Sequence, residues 1–317
     1  MKKNELAPEA LKIINAIEIA EKEGNIRPMY KLNHIQARKS YLSLRDSFSP
    51  AAPKVYKVLN LNIPSKKKKI RARYYKGLKN KARILPITIF FHGGGWVVGN
   101  LDTHDVICRQ LANKGNFDVI SIDYGLAPEN KFPIAIEDSI EAVNFVANNP
   151  MKLAYNKKKI ALCGDSAGGT IASVCCINAK IKKNPLISFQ TLIYPSTHLG
   201  KHYPSKDKYE GFILSKKLMN WFQEKYISKN ELKDWRAAPI LYKNFNGLPP
   251  SLIIVAGCDP LKDEGKAFAK VLSNSGNKVE LVEFKGQIHG FLTMGAKISD
   301  TKKLINLICK KIDESFS

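Results

Sequence analysis

One serine in this chain stands where a nucleophile would be displayed. Ser166 lies in Gly164-Asp165-Ser166-Ala167-Gly168-Gly169, directly after the apolar run Ile160-Ala161-Leu162-Cys163. A short apolar strand enters a turn of small residues, and Thr170-Ile171-Ala172-Ser173-Val174 reads as the helix beyond it. This is the pattern of a nucleophile elbow, a sharp strand-to-helix turn that exposes a serine hydroxyl. Glycines flank the serine on both sides because a side chain there would collide as the chain doubles back. The chemistry implied is attack on a carbonyl through a covalent acyl intermediate. Alone the signal is weak, since glycine and serine are common in turns.

A serine hydroxyl needs a base within about 2.6–3.2 Å to become a nucleophile at neutral pH. Two late loops, each after a strand-like run, offer the partners. Ser251-Leu252-Ile253-Ile254-Val255 leads through Gly257-Cys258 to Asp259, and Val279-Glu280-Leu281-Val282-Glu283-Phe284 leads through Gly286-Gln287-Ile288 to His289. His289 is the expected base, and Asp259 the acid that fixes its tautomer. Asp263 is the rival acid, but it falls in the first turn of an expected helix, where a carboxylate is a helix-start charge. A third loop, His92-Gly93-Gly94-Gly95-Trp96, closes the apolar run Ile87-Thr88-Ile89-Phe90-Phe91. It precedes the elbow as an oxyanion loop would, with backbone N–H groups of Gly94, Gly95 and Ala167 as the donors. His92 reads as a structural anchor of that loop. The order serine, acid, histidine is that of the α/β-hydrolases.

Together, the HGGGW loop, the GDSAGG elbow, the segment Asp259-Pro260-Leu261-Lys262-Asp263-Glu264-Gly265 and His289-Gly290-Phe291 resemble the hormone-sensitive-lipase-like branch of the α/β-hydrolases. Gly99-Asn100-Leu101-Asp102-Thr103-His104-Asp105 and Asp123-Tyr124-Gly125-Leu126-Ala127-Pro128-Glu129 are similar to family segments too. The resemblance runs from about Val55 to the C-terminus. It implies a carboxylesterase acting on small-molecule esters of short to medium acyl chains, with no cofactor and no metal. It also implies a helical cap between the sixth and seventh strands, and it allows a homodimer through the eighth strand. The family usually carries arginine where this chain has Gly125, which leaves open a structural ion pair behind the oxyanion loop but not the triad.

The elements that position these residues follow from hydrophobic patterning. Residues 1 to about 45 read as helical, with apolar positions at Leu11, Ile14, Ile17 and Ile19 and again near Tyr41-Leu42. Alternation over 55–59 and 70–75 predicts an antiparallel start to a sheet. Strands are then expected at 87–91, 117–122, 160–163, 187–193, 251–255 and 279–284. Helices are expected near 103–114, 133–148, 167–181, 261–275 and 300–314. Such alternation predicts an α/β-hydrolase fold, a mainly parallel eight-stranded sheet with helices on both faces. Functional loops should cluster at the carboxyl ends of its strands. Segment 195–239 interrupts the pattern: Asp207–Phe212 reads as a polar turn, and Ser215 starts a capped helix that continues to Tyr226-Ile227. The expected organisation is residues 1–50 as a helical part of the cap, 51–194 and 240–317 as the core, and 195–239 as the cap insertion.

Composition sets outer bounds. The chain has 317 residues, of which 44% are hydrophobic, enough for a substantial core. No apolar run reaches the ~18 residues of a membrane span. Charged residues interrupt the N-terminal apolar stretch, so no signal peptide is expected and a cytoplasmic location is the default. The six cysteines show no C-x-x-C or zinc spacing and read as small core residues. The net charge of +23 is unusual for a small-molecule hydrolase. Its densest run, Lys66-Lys67-Lys68-Lys69 with Arg71 and Arg73, reads first as solvated lysine. Weak contact with anionic surfaces is the functional alternative, and no specific nucleic-acid binding is expected.

His34, His104, His198 and His202 show no partners in sequence and read as helix or surface histidines. Trp96, Phe291, Phe212, Leu214 and Trp221 are candidates to line the acyl pocket. Two rival functions are an amidase or acetyl-group hydrolase on a specific metabolite, and a basic surface- or small-molecule-binding protein on the same fold. The complete set Ser166, Asp259 and His289 disfavours the small-molecule-binding role, because some relatives that are receptors have lost a member of it, and steep salt dependence of binding would mark the surface-binding role.

Overall fold

The computed structural model describes residues 3–65 and 69–317, so Lys66, Lys67 and Lys68 of the basic run lie outside the described residues. Two helices come first, Pro8–Lys22 (α1) and His34–Phe48 (α2). Helix α1 buries Ala10, Ile13 and Ile14, while Ile19 is 55% exposed. At about 100° per residue Ile19 falls on the side opposite that stripe, so it does not belong to the apolar face. Helix α2 starts in a capping box: Asn33 accepts from the Gln36 N–H, and the Gln36 side chain accepts from the Asn33 N–H.

The sheet opens with Lys57–Pro64 (β1) and Lys69–Lys76 (β2), then Leu85–Phe91 (β3). Helix Asp105–Lys114 (α3) leads to Asp118–Asp123 (β4), and Ile134–Asn148 (α4) to Tyr155–Asp165 (β5). The elbow joins β5 to Ala167–Lys182 (α5), which is followed by Phe189–Ile193 (β6). The interruption holds two helices, Pro204–Lys208 (α6) and Lys216–Tyr226 (α7). Ser251–Cys258 (β7), Lys262–Asn274 (α8), Val279–Ile288 (β8) and Asp300–Phe316 (α9) complete the chain.

The eight strands lie in the order β1-β2-β4-β3-β5-β6-β7-β8. β1–β2 and β2–β4 pair antiparallel, and every later pair is parallel. Alternate residues of each central strand feed two cores. Ile87, Ile89, Phe91, Ile160 and Leu162 pack with α4, α5 and α8. Phe90, Ala161, Cys163, Leu252 and Ile254 pack with α1, α3 and α9. Both faces are covered, which is why β3 and β7 read as continuous apolar runs rather than alternating ones. Strand β5 begins earlier than its apolar run: Lys157, Lys158 and Lys159 are exposed. The hydrophobic pattern marks only the buried half of that strand.

The expected turn follows α6 at 209–211, but its polar character is corrected. Tyr209 and Phe212, which follow the short helix α6, are buried in the core that also holds α1 and α9. Charged neighbours in sequence hid two aromatic anchors.

Candidate active site

Strand register brings the three loops together. Phe91, the last residue of β3, sits beside Gly164 of β5, and Asp165 sits beside Ile193 of β6. The chain must then reverse into α5 within one residue, and Ser166 takes φ 54°, ψ −118°. This is a strained conformation for a non-glycine residue, held by the Ser166 N–H donating to the Ile193 carbonyl at 2.8 Å. The flanking glycines are required by contact. A Cβ on Gly168 would lie 2.0 Å from the Phe91 carbonyl oxygen, and one on Gly164 would lie 2.3 Å from the Gly168 carbonyl oxygen.

His289 Nε2 is 2.9 Å from Ser166 Oγ, and His289 Nδ1 is 2.7 Å from Asp259 Oδ2. Asp259 is fully buried, and its other oxygen accepts from the Leu261 N–H at 2.8 Å. A carboxylate so fixed holds the imidazole with Nε2 free to take the serine proton. Asp263 points elsewhere, accepting from the Ser205 N–H at 2.8 Å. The sequence-predicted Ser166, His289 and Asp259 are thus brought together, and the rival acid is not among them.

The glycine loop crosses in front of the elbow. Gly94 and Gly95 have φ of 125° and 56°, values that glycine adopts without strain. Among the described residues none accepts from the N–H of Gly94, Gly95 or Ala167, and all three residues line the same cavity as Ser166. The arrangement leaves three backbone donors for an oxygen bound there.

Behind this loop lies a polar cluster that sequence patterning misses. Asp165 is buried, accepts from the Gly93 N–H at 2.8 Å and lies 3.2 Å from His104 Nε2. Burial alone would push its carboxyl up, but His104, the Gly93 N–H and Arg45 outweigh this and hold it below the usual range. His104 is therefore buried beside the Asp165 carboxylate, at the start of α3 and not on the surface. His92 stacks on Tyr124 at 4.4 Å, and its Nδ1 is 2.8 Å from the Gly93 oxygen. Burial first, then the neighbouring His104, push its imidazole down to about 4, so it stands neutral as an anchor of the loop. His34, His198 and His202 do have polar neighbours, in Glu129, Tyr203 and Asp207 respectively.

Gly125 donates its N–H to Asp138 at 2.8 Å. A guanidinium still braces the loop, supplied by α2. Arg38 donates to the carbonyls of Val97 and Ala127, both at 2.9 Å, and grips Glu129 with two nitrogens. The ion pair that Gly125 left open is thus supplied by Arg38 and Glu129, from a residue that no local pattern connects to residues 97–129.

The cavity over Ser166 has a volume of about 1050 Å³. Ile14, Ile17 and Leu44 form a wall from α1 and α2, and Leu218, Met219 and Phe222 a wall from α7. Phe222 lies against the glycine loop, since a Cβ on Gly95 would be 2.4 Å from its ring. Of the residues expected to line the acyl pocket, Trp96 and Leu214 do so. Phe291 instead packs against Tyr194 and Phe284, Phe212 is core, and Trp221 turns its ring to Lys225 and the edge of Phe222. Residues 218, 219 and 222 share one face of α7, and residue 221 lies outside it. All six cysteines are free and buried. Among the described residues no three of His, Cys, Asp or Glu are grouped to hold a metal ion, and no helix is long and apolar enough to cross a membrane.

Known proteins share this design. The family model described as alpha/beta hydrolase fold matches residues 88–293. The carboxylic ester hydrolase LipN of Mycobacterium tuberculosis is 36% identical over 263 residues, which cover 79% of this chain and 69% of LipN. An ethyl acetate hydrolase of Pseudomonas putida is 27% identical over 98% of this chain and 99% of its own. Among solved structures, LAE6, an alpha/beta hydrolase enzyme from the metagenome of Lake Arreo, superposes with a TM-score of 0.95 at 36% identity, covering 99% of both chains.

Proposed function

The chain belongs to the α/β-hydrolase family, in its carboxylesterase branch similar to hormone-sensitive lipase, and on that premise we propose that it opens carboxylic esters at Ser166. The observation that carries the assignment of roles is the unbroken line from Ser166 Oγ through His289 to Asp259 beneath a cavity. Ser166 Oγ attacks the ester carbonyl as His289 Nε2 takes its proton. The negative charge moves to the carbonyl oxygen, which accepts from the N–H groups of Gly94, Gly95 and Ala167. One such donor contributes about 3–4 kcal/mol where it has been removed from a related site. The tetrahedral species then collapses, and His289 returns the proton to the leaving alkoxide. Water repeats the sequence on the acyl-enzyme, releasing the acid and restoring Ser166. Asp259 stays ionised throughout and stabilises the imidazolium.

Short to medium acyl chains fit this reading, supported by the relative named for ethyl acetate. Residues 1–50 and 195–239 act as one cap, since both contribute to the cavity walls. The protein works in the cytoplasm, with the lysine excess giving at most weak contact with anionic surfaces. A homodimer would form through β8, an edge of the sheet.

The test is hydrolysis of p-nitrophenyl esters from acetate to palmitate by wild type and Ser166→Ala. The expected result is a peak at short chains and a loss of at least about 10³-fold in kcat for the variant. A folded wild type that is silent across the series overturns the reading.

A further inference from the structure

On the wall of the active-site cavity Arg45 is, among the described residues, a cation without a counter-ion. It belongs to α2 and is 6% exposed. One guanidinium nitrogen donates to Thr293 Oγ1, and the group lies 4.5 Å over the ring of Tyr41. Its Nε is buried with no hydrogen-bond partner among the described residues. Among the described residues no carboxylate stands within 4.0 Å of it. Asp165 feels its charge but is already engaged by His104 and the Gly93 N–H. Arg45 also borders the histidine loop, since a Cβ on Gly290 would be 3.4 Å from its Nη2.

A buried guanidinium cannot escape by losing its proton, and burying a charge unpaired costs several kcal/mol. Such a group is stabilised by an anion that arrives with a ligand. The rest of the cavity points the same way. Seven lysine and arginine residues line it, against four carboxylate residues. Two of those four are occupied within the protein, Asp165 as above and Glu18 by Lys3 at 2.6 Å, and two of the seven cations are too, Lys206 by Glu264 at 2.8 Å and Lys216 by Asp207. Charge of one sign in a cleft with low-dielectric walls concentrates ligands of the other sign.

We infer that the preferred substrates are esters that carry a second, anionic group, a free carboxylate or its equivalent, which Arg45 binds while the ester carbonyl lies at Ser166. This deepens the esterase reading and rests on it. The substrate class is then the half-ester of a dicarboxylic acid, or another ester with a fixed negative charge, rather than a fully neutral ester.

The test uses the wild-type protein first. Monoethyl succinate, glutarate and adipate are compared with ethyl butanoate, pentanoate and hexanoate at pH 7.5, following released ethanol. For at least one pair the charged ester is expected to have a kcat/KM about tenfold higher, mainly through KM, as a charge-assisted hydrogen bond supplies. That advantage should shrink as salt is raised from about 0.02 M to about 0.5 M. Arg45→Gln should bring the charged-to-neutral ratio to about one, and Arg45→Lys should restore part of it. A wild type that prefers the neutral member of all three pairs overturns the inference and leaves the esterase reading standing. An Arg45→Gln variant that is folded and slower on both esters alike, with its ratio unchanged, makes Arg45 a strut to Thr293 and overturns it too. Hydrolysis of neither series overturns the esterase reading itself.

Discussion

Ser166 is strained, Asp259 is buried with both oxygens engaged, and His92 is buried and neutral, and these conditions depend on one another through a few polar contacts. The meeting of Ser166, His289 and Asp259 was legible in sequence because each residue follows a strand end and is announced by local glycines or apolar runs. The pairs behind them were not. Asp165 with His104, Arg38 with the Val97 and Ala127 carbonyls, and Arg45 at Thr293 join residues distant in the chain, and no periodicity connects them. At this scale His92 gives a pH prediction. An imidazole in the unfolded chain takes its proton at 6.5, whereas burial and His104 delay this to about 4 in the folded protein. The unfolded state therefore binds more protons between these values. Stability is fully present above pH 6.5 and falls as the pH drops towards 4, by up to about 3 kcal/mol. Arg38 holds Glu129 down to about 2, so that carboxylate adds a further loss only below its usual 4.5. The melting temperature should begin to fall below about pH 6.5. A melting temperature that is flat from pH 7 to pH 5 would contradict the assignment of a buried, neutral His92.

Among the elements, the succession of strands and helices and the two-sided packing were legible, since runs bounded by turns mark the strands and amphipathic runs mark the helices. Errors fell where an element is only half buried or where charge masks an anchor. The exposed lysines at the start of β5 hid half a strand, and Lys206 and Lys208 disguised the burial of Tyr209 and Phe212. The joint between β3, β5 and α5 depends on close approach. Gly168→Ala forces a Cβ to within 2.0 Å of the Phe91 carbonyl oxygen, so backbone must move at the elbow. It should cost about 2–4 kcal/mol, as overpacking combined with backbone displacement does. Gly24→Ala, with φ +77° but no atom within 4 Å of the added Cβ, should cost only the left-handed penalty of about 1–2 kcal/mol. Urea midpoints compare the two directly, and equal shifts would contradict the packing described for the elbow.

Seen whole, the molecule places an enzyme of +23 charge around a cavity whose lining is itself cation-rich. The sequence announced the charge but not its geometry, because lysines spread along the chain reveal nothing of which ones meet at a cavity. Some basic residues are matched within the fold, Arg71 by Asp123 and Arg73 by Asp102 and Asp105. Among the described residues Arg45 has no such match. The central claim concerns one atom, Ser166 Oγ, as the site of covalent chemistry. An intact-mass measurement after treatment with a p-nitrophenyl alkylphosphonate tests it most directly. The account predicts one phosphonyl adduct per chain, located on the peptide containing Ser166, formed in step with loss of esterase activity and absent from Ser166→Ala. Full labelling that leaves activity intact, or an adduct on any other residue of an inactivated protein, would contradict it.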